Sequence, residues 1–238
     1  MGHLGAYHCA ACGHARPPLD VVARELDSQG LEGIAFSLAT PAGDARVQLA
    51  LPGLYNVYNA LAAAALCLGL GVPLPEIVAG LERFRAAFGR FERFVAGDRS
   101  VLLLLIKNPA GANEVVRTLE EAGTPPTIVV ALNDRIADGR DVSWIWDVDF
   151  EPLARAERVV VTGERAAELG LRFLYGGLPR ERLEVEPELE AALDRGLALT
   201  PSGGELVILP TYTAMLGLRS IATDRGLTRP YWESERAS

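Results

Sequence analysis

The 238-residue sequence is poor in several features, and each absence excludes a class of protein. No apolar run approaches the roughly 20 residues of a transmembrane helix, and the first residues do not form a signal peptide. Three cysteines are too few for a disulfide framework and indicate a reducing compartment. The net charge of −8 argues against nucleic acid or an anionic membrane as the main partner. We therefore expect a cytoplasmic protein that is not a transmembrane protein and does not bind nucleic acid.

Common nucleotide-binding and nucleophilic motifs are also absent. The sequence contains neither the GxxxxGK[ST] phosphate loop nor GxGxxG between a strand and a helix. It lacks the GxSxG nucleophile elbow, and no cysteine follows a strand near a candidate histidine base. These absences argue against ATP hydrolysis by this chain alone and against a covalent nucleophile.

Two of the cysteines form a CxxC pair, Cys9-Ala-Ala-Cys12, which is followed by glycine. The pair is typical of one half of a zinc ribbon, but structural zinc needs four ligands, usually from two such pairs. The third cysteine, Cys67, lies in an apolar helix and is expected to be a small core residue. A redox-active pair is an alternative, although no strand and helix flank it. The remaining ligands could also come from His3, His8 and His14, whose spacing matches no common zinc pattern.

Lysine is almost absent, because 22 of the 23 basic residues are arginine. The single lysine is Lys107. A compact, strongly hydrated ammonium can serve where a guanidinium does not fit, so Lys107 is a candidate site residue. The alternative is that one lysine has survived by chance.

The most informative stretch is 128–151, IVVALNDRIADGRDVSWIWDVDFE. The apolar run Ile128 to Leu132 predicts a strand buried on both faces. Ligands of α/β domains bind at the carboxyl ends of such strands, and Asp134 lies two positions past this one. The stretch then continues with Asp138, Asp141, Asp147 and Asp149, and with Trp144 and Trp146. We interpret it as a site in which Asp138 and Asp141 form turns beside Gly139. The alternative is a solvated acidic loop with two core tryptophans.

The order of predicted elements divides the chain into two units. In the first, 1–96, a segment of 20 residues precedes a hairpin of Ile34 to Leu38 and Val47 to Leu51. A buried helix at 54–70 and an amphipathic helix at 75–87 follow. In the second, 97–238, strands at 101–106, 128–132, 158–161 and 205–209 alternate with helices at 111–122, 164–169, 187–199 and 211–222. This alternation predicts an α/β fold with a parallel sheet. The first unit is too small to close its own core, and we expect a missing part before residue 1.

Several motifs resemble the Mur ligases, which activate a carboxylate with ATP. The run LPGLYNVYNALAA at 51–63 resembles their LPGxHNxxNxLAA segment, and FGRFE at 88–92 resembles their GRxE motif. LIKNPAG at 105–111 stands where these enzymes carry DYAHNP. Together with 132–151 and LPTYTAM at 209–215, the resemblance narrows to the MurT branch of the family and covers its C-terminal half. It implies the end of a Mur ligase central domain with half a zinc ribbon, followed by a Rossmann-like domain.

The resemblance also implies a reaction. Such subunits, paired with a GatD-type glutaminase, use ATP and Mg²⁺ to amidate the α-carboxylate of D-glutamate in lipid II. The location implied is cytoplasmic, at the inner face of the membrane through lipid II. Asn56 and Asn59 match residues near the adenine, and Arg90 matches one near the ribose and phosphates. Cys9 and Cys12 match the second pair of a Zn²⁺ ribbon. Asp134 is the catalytic candidate, either orienting a histidine of the partner or handling ammonia, and Lys107, Asn108, Thr211 and Tyr212 are candidates for substrate binding or support.

Three positions depart from the general Mur ligase pattern. Tyr55 and Lys107 each replace a histidine, and Leu104 stands where DYAHNP has its aspartate. Two alternatives therefore remain. One is a non-catalytic module that docks a glutaminase, and the other is an unrelated Rossmann-like domain that binds an acidic metabolite or a metal.

Overall fold

A computed structural model describes residues 5–84 and 91–228. The first part is a three-stranded antiparallel sheet in the order β1-β2-β3, covered by two helices. Its elements are β1 (Val22–Ser28), β2 (Ile34–Thr40), β3 (Gly43–Leu49), α1 (Leu54–Gly69) and α2 (Leu74–Arg83). The pairing of β2 with β3 confirms the predicted hairpin, and β1 is an edge strand that the sequence did not predict. Phe36 and Leu38 of β2 pack against Val57 and Ala60 of α1 to form a small core.

Helix α1 differs from the expectation that it is buried all round. Only Val57, Ala60 and Ala64 are buried. Tyr58 and Leu66, on the other side of the helix, are 43% and 65% exposed. The sheet covers one side of α1, and no other described element covers the opposite side.

The second part is a six-stranded sheet in the order β4-β5-β9-β6-β7-β8. Its strands are β4 (Phe91–Ala96), β5 (Arg99–Leu104), β6 (Thr127–Ala131), β7 (Arg158–Thr162), β8 (Leu183–Val185) and β9 (Glu205–Pro210). Its helices are α3 (Pro109–Ala122), α4 (Ala166–Tyr175), α5 (Leu189–Leu199) and α6 (Tyr212–Asp224). Strands β5 to β9 are mutually parallel, which confirms the predicted Rossmann-like sheet, and β4 is antiparallel to β5.

Helices cover both faces of this sheet. Core residues of β5, β6, β7 and β9 that face one side pack with α3 and α4, and those that face the other side pack with α5 and α6. All five residues of β6 are buried, because this central strand is covered on both faces. Only two short 3-10 helices, Ser143–Asp147 and Glu151–Arg155, connect β6 to β7. No helix in the described part of the chain is long and apolar enough to cross a bilayer.

Strand β4 bears on the boundary between the two units. The sequence placed 91–96 in the first unit, but β4 is hydrogen-bonded to β5. The Glu92 carboxylate also lies 2.7 Å from Nε of Arg219 on α6, in a largely buried ion pair. We therefore propose that the boundary lies between Phe84 and Phe91 rather than at residue 96. The two units touch where the 3-10 helix Gly30–Glu32 packs on α3.

Candidate active site at the carboxyl edge of the parallel sheet

The candidate site lies where β5, β9, β6 and β7 end. Helix α3 follows β5 on one face of the sheet, whereas α6 follows β9, the neighbouring strand, on the other face. Such a divergence opens a crevice at the carboxyl edge, where α/β domains bind ligands. The structure places Lys107 after β5, Asp134 after β6 and Tyr212 after β9. The predicted residues of the second unit thus share one edge.

Asp134 is held by an arginine from the next loop. Its side chain is 32% exposed, and its Oδ2 accepts a hydrogen bond of 2.8 Å from Nη1 of Arg165, beside the start of α4. Arg165 also pairs with Glu168, and these two carboxylates raise the pKa of the guanidinium. In return, the hydrogen bond from Arg165 lowers the pKa of Glu168. The pairing holds the Asp134 carboxylate in a defined position while part of its side chain stays exposed.

A buried network that the sequence did not predict lies beside Asp134. Asp138 is only 9% exposed, and its two carboxylate oxygens accept hydrogen bonds from N and Oγ1 of Thr213, at 2.7 and 2.5 Å. Oγ1 of Thr213 in turn accepts from Nδ2 of Asn133 at 2.9 Å. Asp138 is therefore more than a turn former. Asp141 is a turn residue as predicted, because its Oδ1 accepts from the backbone N–H of Ser143, and this contact lowers its pKa.

The four support candidates divide into two kinds. Thr211 is buried and its Oγ1 accepts from the backbone N–H of Asn133, while Oδ1 of Asn108 caps α3 by accepting from Gly111 N. Asn108 therefore stabilises the turn into α3, and Thr211 joins the end of β9 to the loop after β6. Lys107 and Tyr212 are exposed at the same edge and are free to contact a ligand there.

The acidic stretch does not form one metal site. Asp147 and Asp149 are exposed, and Asn113 of α3 holds their backbones. Trp144 packs against the core, whereas Trp146 is 48% exposed and contacts the ring of Tyr175 edge-on. Within residues 5–84 and 91–228, no three His, Cys, Asp or Glu side chains are close enough to hold a metal ion. The described residues therefore provide no complete Mg²⁺ or Zn²⁺ site.

The nucleotide candidates line a cavity of about 250 Å³. Its walls are Leu49, Leu51, Pro52, Tyr55, Asn56, Asn59, Ala60, Ala63, Leu81, Phe84 and Phe91. Phe91 pairs with Leu104, the last residue of β5, so the cavity lies beside the carboxyl edge of the sheet. Asn56 donates from Nδ2 to the carbonyl of Pro52, which leaves Asn59 as the freer amide. The apolar walls fit a planar base, but none of these lining residues is a cation that would bind phosphates. Arg90 lies outside the described residues.

The CxxC pair lies in a small hairpin. The backbone N–H of Cys9 donates to the carbonyl of His14, and the N–H of Gly13 donates to the carbonyl of Cys9. Both thiols are exposed, and the backbone N–H of Cys12 lowers the pKa of the Cys9 thiol. This arrangement exposes two cysteine side chains that could bind a metal, but two ligands do not close a tetrahedral zinc site. His3 lies outside the described residues.

Solved structures define the class of protein. The structure is similar to MurF from Acinetobacter baumannii, with a TM-score of 0.66 and 26% identity, over 84% of this chain and 45% of that one. It is also similar to a pseudomurein peptide ligase type C from Methanothermus fervidus, with a TM-score of 0.67 and 22% identity, over 94% of this chain and 45% of that one. The chain therefore has a Mur ligase-like α/β fold.

Sequence comparisons show which Mur ligase-like proteins this chain resembles. Residues 105–215 match the family described as MurT ligase C-terminal. The MurT subunit of the glutamine-hydrolyzing lipid II isoglutaminyl synthase of Streptococcus pneumoniae is 37% identical over 229 residues, which are 95% of this chain and 50% of that protein. The Staphylococcus aureus (strain COL) subunit is 34% identical over 215 residues, 89% of this chain and 46% of that protein. The chain thus spans about half the length of the curated relatives it matches. These findings confirm the resemblance to the MurT family, and they disfavour an unrelated Rossmann-like domain.

Proposed function

We propose that the chain is part of an ATP-dependent ligase subunit that amidates the α-carboxylate of D-glutamate in lipid II, with ammonia from a GatD-type glutaminase. The observation that carries this proposal is the 37% identity to a MurT subunit over 95% of the chain. The crevice at the carboxyl edge supports it, because the family region 105–215 includes the loops after β5, β6 and β7 and the start of α6.

ATP with Mg²⁺ would supply the phosphoryl group that converts the substrate carboxylate into an acyl phosphate, which ammonia then attacks with release of phosphate. In this scheme Asn56 and Asn59 lie near the adenine, and Arg90 reaches the ribose and phosphates. The apolar cavity suits the base. The cavity walls themselves carry no cation for the phosphates.

The crevice residues take the remaining roles. The ammonium of Lys107 is exposed at the edge and attracts the carboxylate or phosphoryl oxygens of the substrate. Asp134 either orients the histidine of the glutaminase or guides ammonia at the ligase site. Because Arg165 already holds one of its oxygens, Asp134 acts by accepting a second hydrogen bond in a defined direction. The subunit would work in the cytoplasm, at the inner membrane face where lipid II is exposed.

A second candidate is a non-catalytic module that docks a glutaminase. The observation that favours it is a cavity that has no lining cation. The two candidate functions differ in whether amidation depends on nucleotide binding by this chain. A catalytic subunit loses amidation when Asn59 is replaced, whereas a docking module does not.

Depletion of the chain in the cells that produce it tests the proposal. We expect the fraction of peptidoglycan stem peptides with D-isoglutamine to fall, as measured by mass spectrometry of muropeptides. Complementation with the wild-type gene should restore that fraction, and complementation with Asn59→Ala should not. An unchanged amidated fraction after depletion would contradict the proposed function.

A further inference from the structure

Three strand-end loops of the crevice are joined by one set of buried hydrogen bonds. The side chain of Asn133, after β6, donates to Thr213 of α6, and its Oδ1 accepts from the backbone N–H of Glu164, after β7. Its own backbone N–H donates to Oγ1 of Thr211, after β9. Asn133 and Thr211 are 3% and 1% exposed, so these bonds are shielded from water and form a defined geometry.

Asp138 completes this set from the far side of the loop. Its carboxylate receives both the N–H and the hydroxyl of Thr213, in the first turn of α6. A carboxylate at that position also interacts favourably with the positive end of the helix dipole. The segment between Asp134 and Asp138 is a tight turn, in which the carbonyl of Arg135 accepts from the N–H groups of Asp138 and Gly139. The loop that carries Asp134 is therefore fastened at both of its ends.

We propose that Asp138 is a positioning residue, which fixes Asp134 in the crevice by joining its loop to the first turn of α6. This inference rests on the proposed function, since it assigns a part in that reaction. Asp138 itself is buried, and both of its carboxylate oxygens are engaged by Thr213. It therefore acts through Asp134.

The hydrogen bonds from Thr213 require a side chain with two acceptor oxygens at position 138, which aspartate provides. Thr213 presents two donors to residue 138, because its hydroxyl already accepts a hydrogen bond from Asn133. A carboxylate accepts both. An asparagine amide has one acceptor oxygen, and with that oxygen on the backbone N–H its NH₂ group faces the Thr213 hydroxyl. Asp138→Asn therefore keeps the side-chain shape and loses the charge-assisted bond from that hydroxyl. Thr213→Val removes the same bond from the other side, and Thr213→Ser retains it.

The test uses the native complex, purified through a tag on this chain, and measures kcat and KM for glutamine-dependent amidation of lipid II. We expect kcat to fall about 100-fold in Asp138→Asn and in Thr213→Val, since small displacements of a reacting group have effects of this size. The KM values for glutamine and lipid II should stay within about two-fold, because ground-state binding does not use this bond. Thr213→Ser should restore kcat.

Hydrogen exchange of the purified chain provides a readout that does not depend on activity. In Asp138→Asn the amides of Asn133 and Thr213 should exchange faster, while those of β6 and β9 stay protected. The inference would be overturned by any of three results. The first is a wild-type kcat in Asp138→Asn, and the second is a Thr213→Ser variant as slow as Thr213→Val. The third is an equal loss of protection throughout the sheet in Asp138→Asn. A wild-type complex that does not amidate lipid II would instead refute the proposed function. Unchanged exchange at the amides of Asn133 and Thr213 in Asp138→Asn would by itself show that Asp138 does not hold its loop against α6.

Discussion

Nη1 of Arg165 donates a hydrogen bond to Oδ2 of Asp134 over 2.8 Å, and the two residues follow β6 and β7, which are neighbouring parallel strands. The backbone N–H of Arg165 also donates to the carbonyl of Leu132, so the main chain of Arg165 is anchored to the strand end that precedes Asp134. The carboxylate is thus held in place while about a third of its side chain stays accessible. An orienting residue needs both properties.

Replacement of Asp134 tests this role directly. In the native complex, Asp134→Asn should retain the fold and the assembly and lower the amidation rate about 100-fold or more, as removal of an orienting carboxylate can. Asp98→Asn is a matched control, because Asp98 also pairs with an arginine but lies in the turn between β4 and β5, at the opposite edge of the sheet. The assignment is wrong if Asp134→Asn amidates lipid II as fast as Asp98→Asn does.

The close approach of two strand-end loops makes Gly163 sensitive to substitution. Gly163 has a φ of +94°, and an added Cβ would lie 2.6 Å from the carbonyl oxygen of Leu132 and 2.7 Å from Oδ1 of Asn133. Gly177 has a φ of +86° but open space around it. We expect Gly177→Ala to lower the free energy of unfolding by about 1 kcal/mol, from the backbone conformation alone. Gly163→Ala should lower it by about 3 kcal/mol, because the clash adds to the same strain. Equal urea midpoints for the two variants would show that the loops are not in contact.

The sequence predicted the sheet well, for a physical reason. Strands β5, β6, β7 and β9 are buried on both faces and therefore appear as continuous apolar runs. Strand β1 is mostly exposed along one edge, and β8 has only three residues, so neither forms a recognisable pattern. Helix α1 was predicted to be buried because it is apolar nearly all round. Its composition does not show how many other elements pack against it, and in the described part of the chain only one side is covered.

The site was predicted only in part. The position of Asp134 follows from the strand before it, since every parallel strand ends at the same edge. The role of Asp138 could not be predicted, because its partner Thr213 is 75 residues away and only the folded sheet brings them together. Its sequence context, beside Gly139, is that of an ordinary turn. A buried carboxylate is recognised from its hydrogen bonds, which the sequence does not specify.

Nucleotide binding by the 238-residue chain should be weak. The cavity beside Phe91 provides aromatic and amide contacts for a base, but none of its wall residues is a cation that would bind phosphates. We expect millimolar affinity for ATP at best, on the order of −4 kcal/mol. Asn59→Ala should abolish the ATP signal in isothermal titration. Micromolar ATP binding would show that this chain contains a phosphate site.

Zinc retention tests the CxxC hairpin. With only Cys9 and Cys12 as thiolate ligands, the chain should bind zinc far more weakly than a site of four thiolates, and mild chelation should remove the metal. Metal analysis of the purified chain is the measurement, with Cys12→Ser as the control for metal bound elsewhere. Stoichiometric zinc that survives chelation in the wild type, and is lost in Cys12→Ser, would mean that histidines such as His8 and His14 complete the site.

Transfer of labelled nitrogen is the most direct test of the central claim. The complex purified through this chain should be incubated with lipid II, ATP and amide-labelled glutamine, and the stem peptide analysed by mass spectrometry. We expect label in the α-amide of D-isoglutamine, dependent on ATP and strongly reduced in Asp134→Asn. Absence of label from the stem peptide, or equal labelling without ATP, would contradict it.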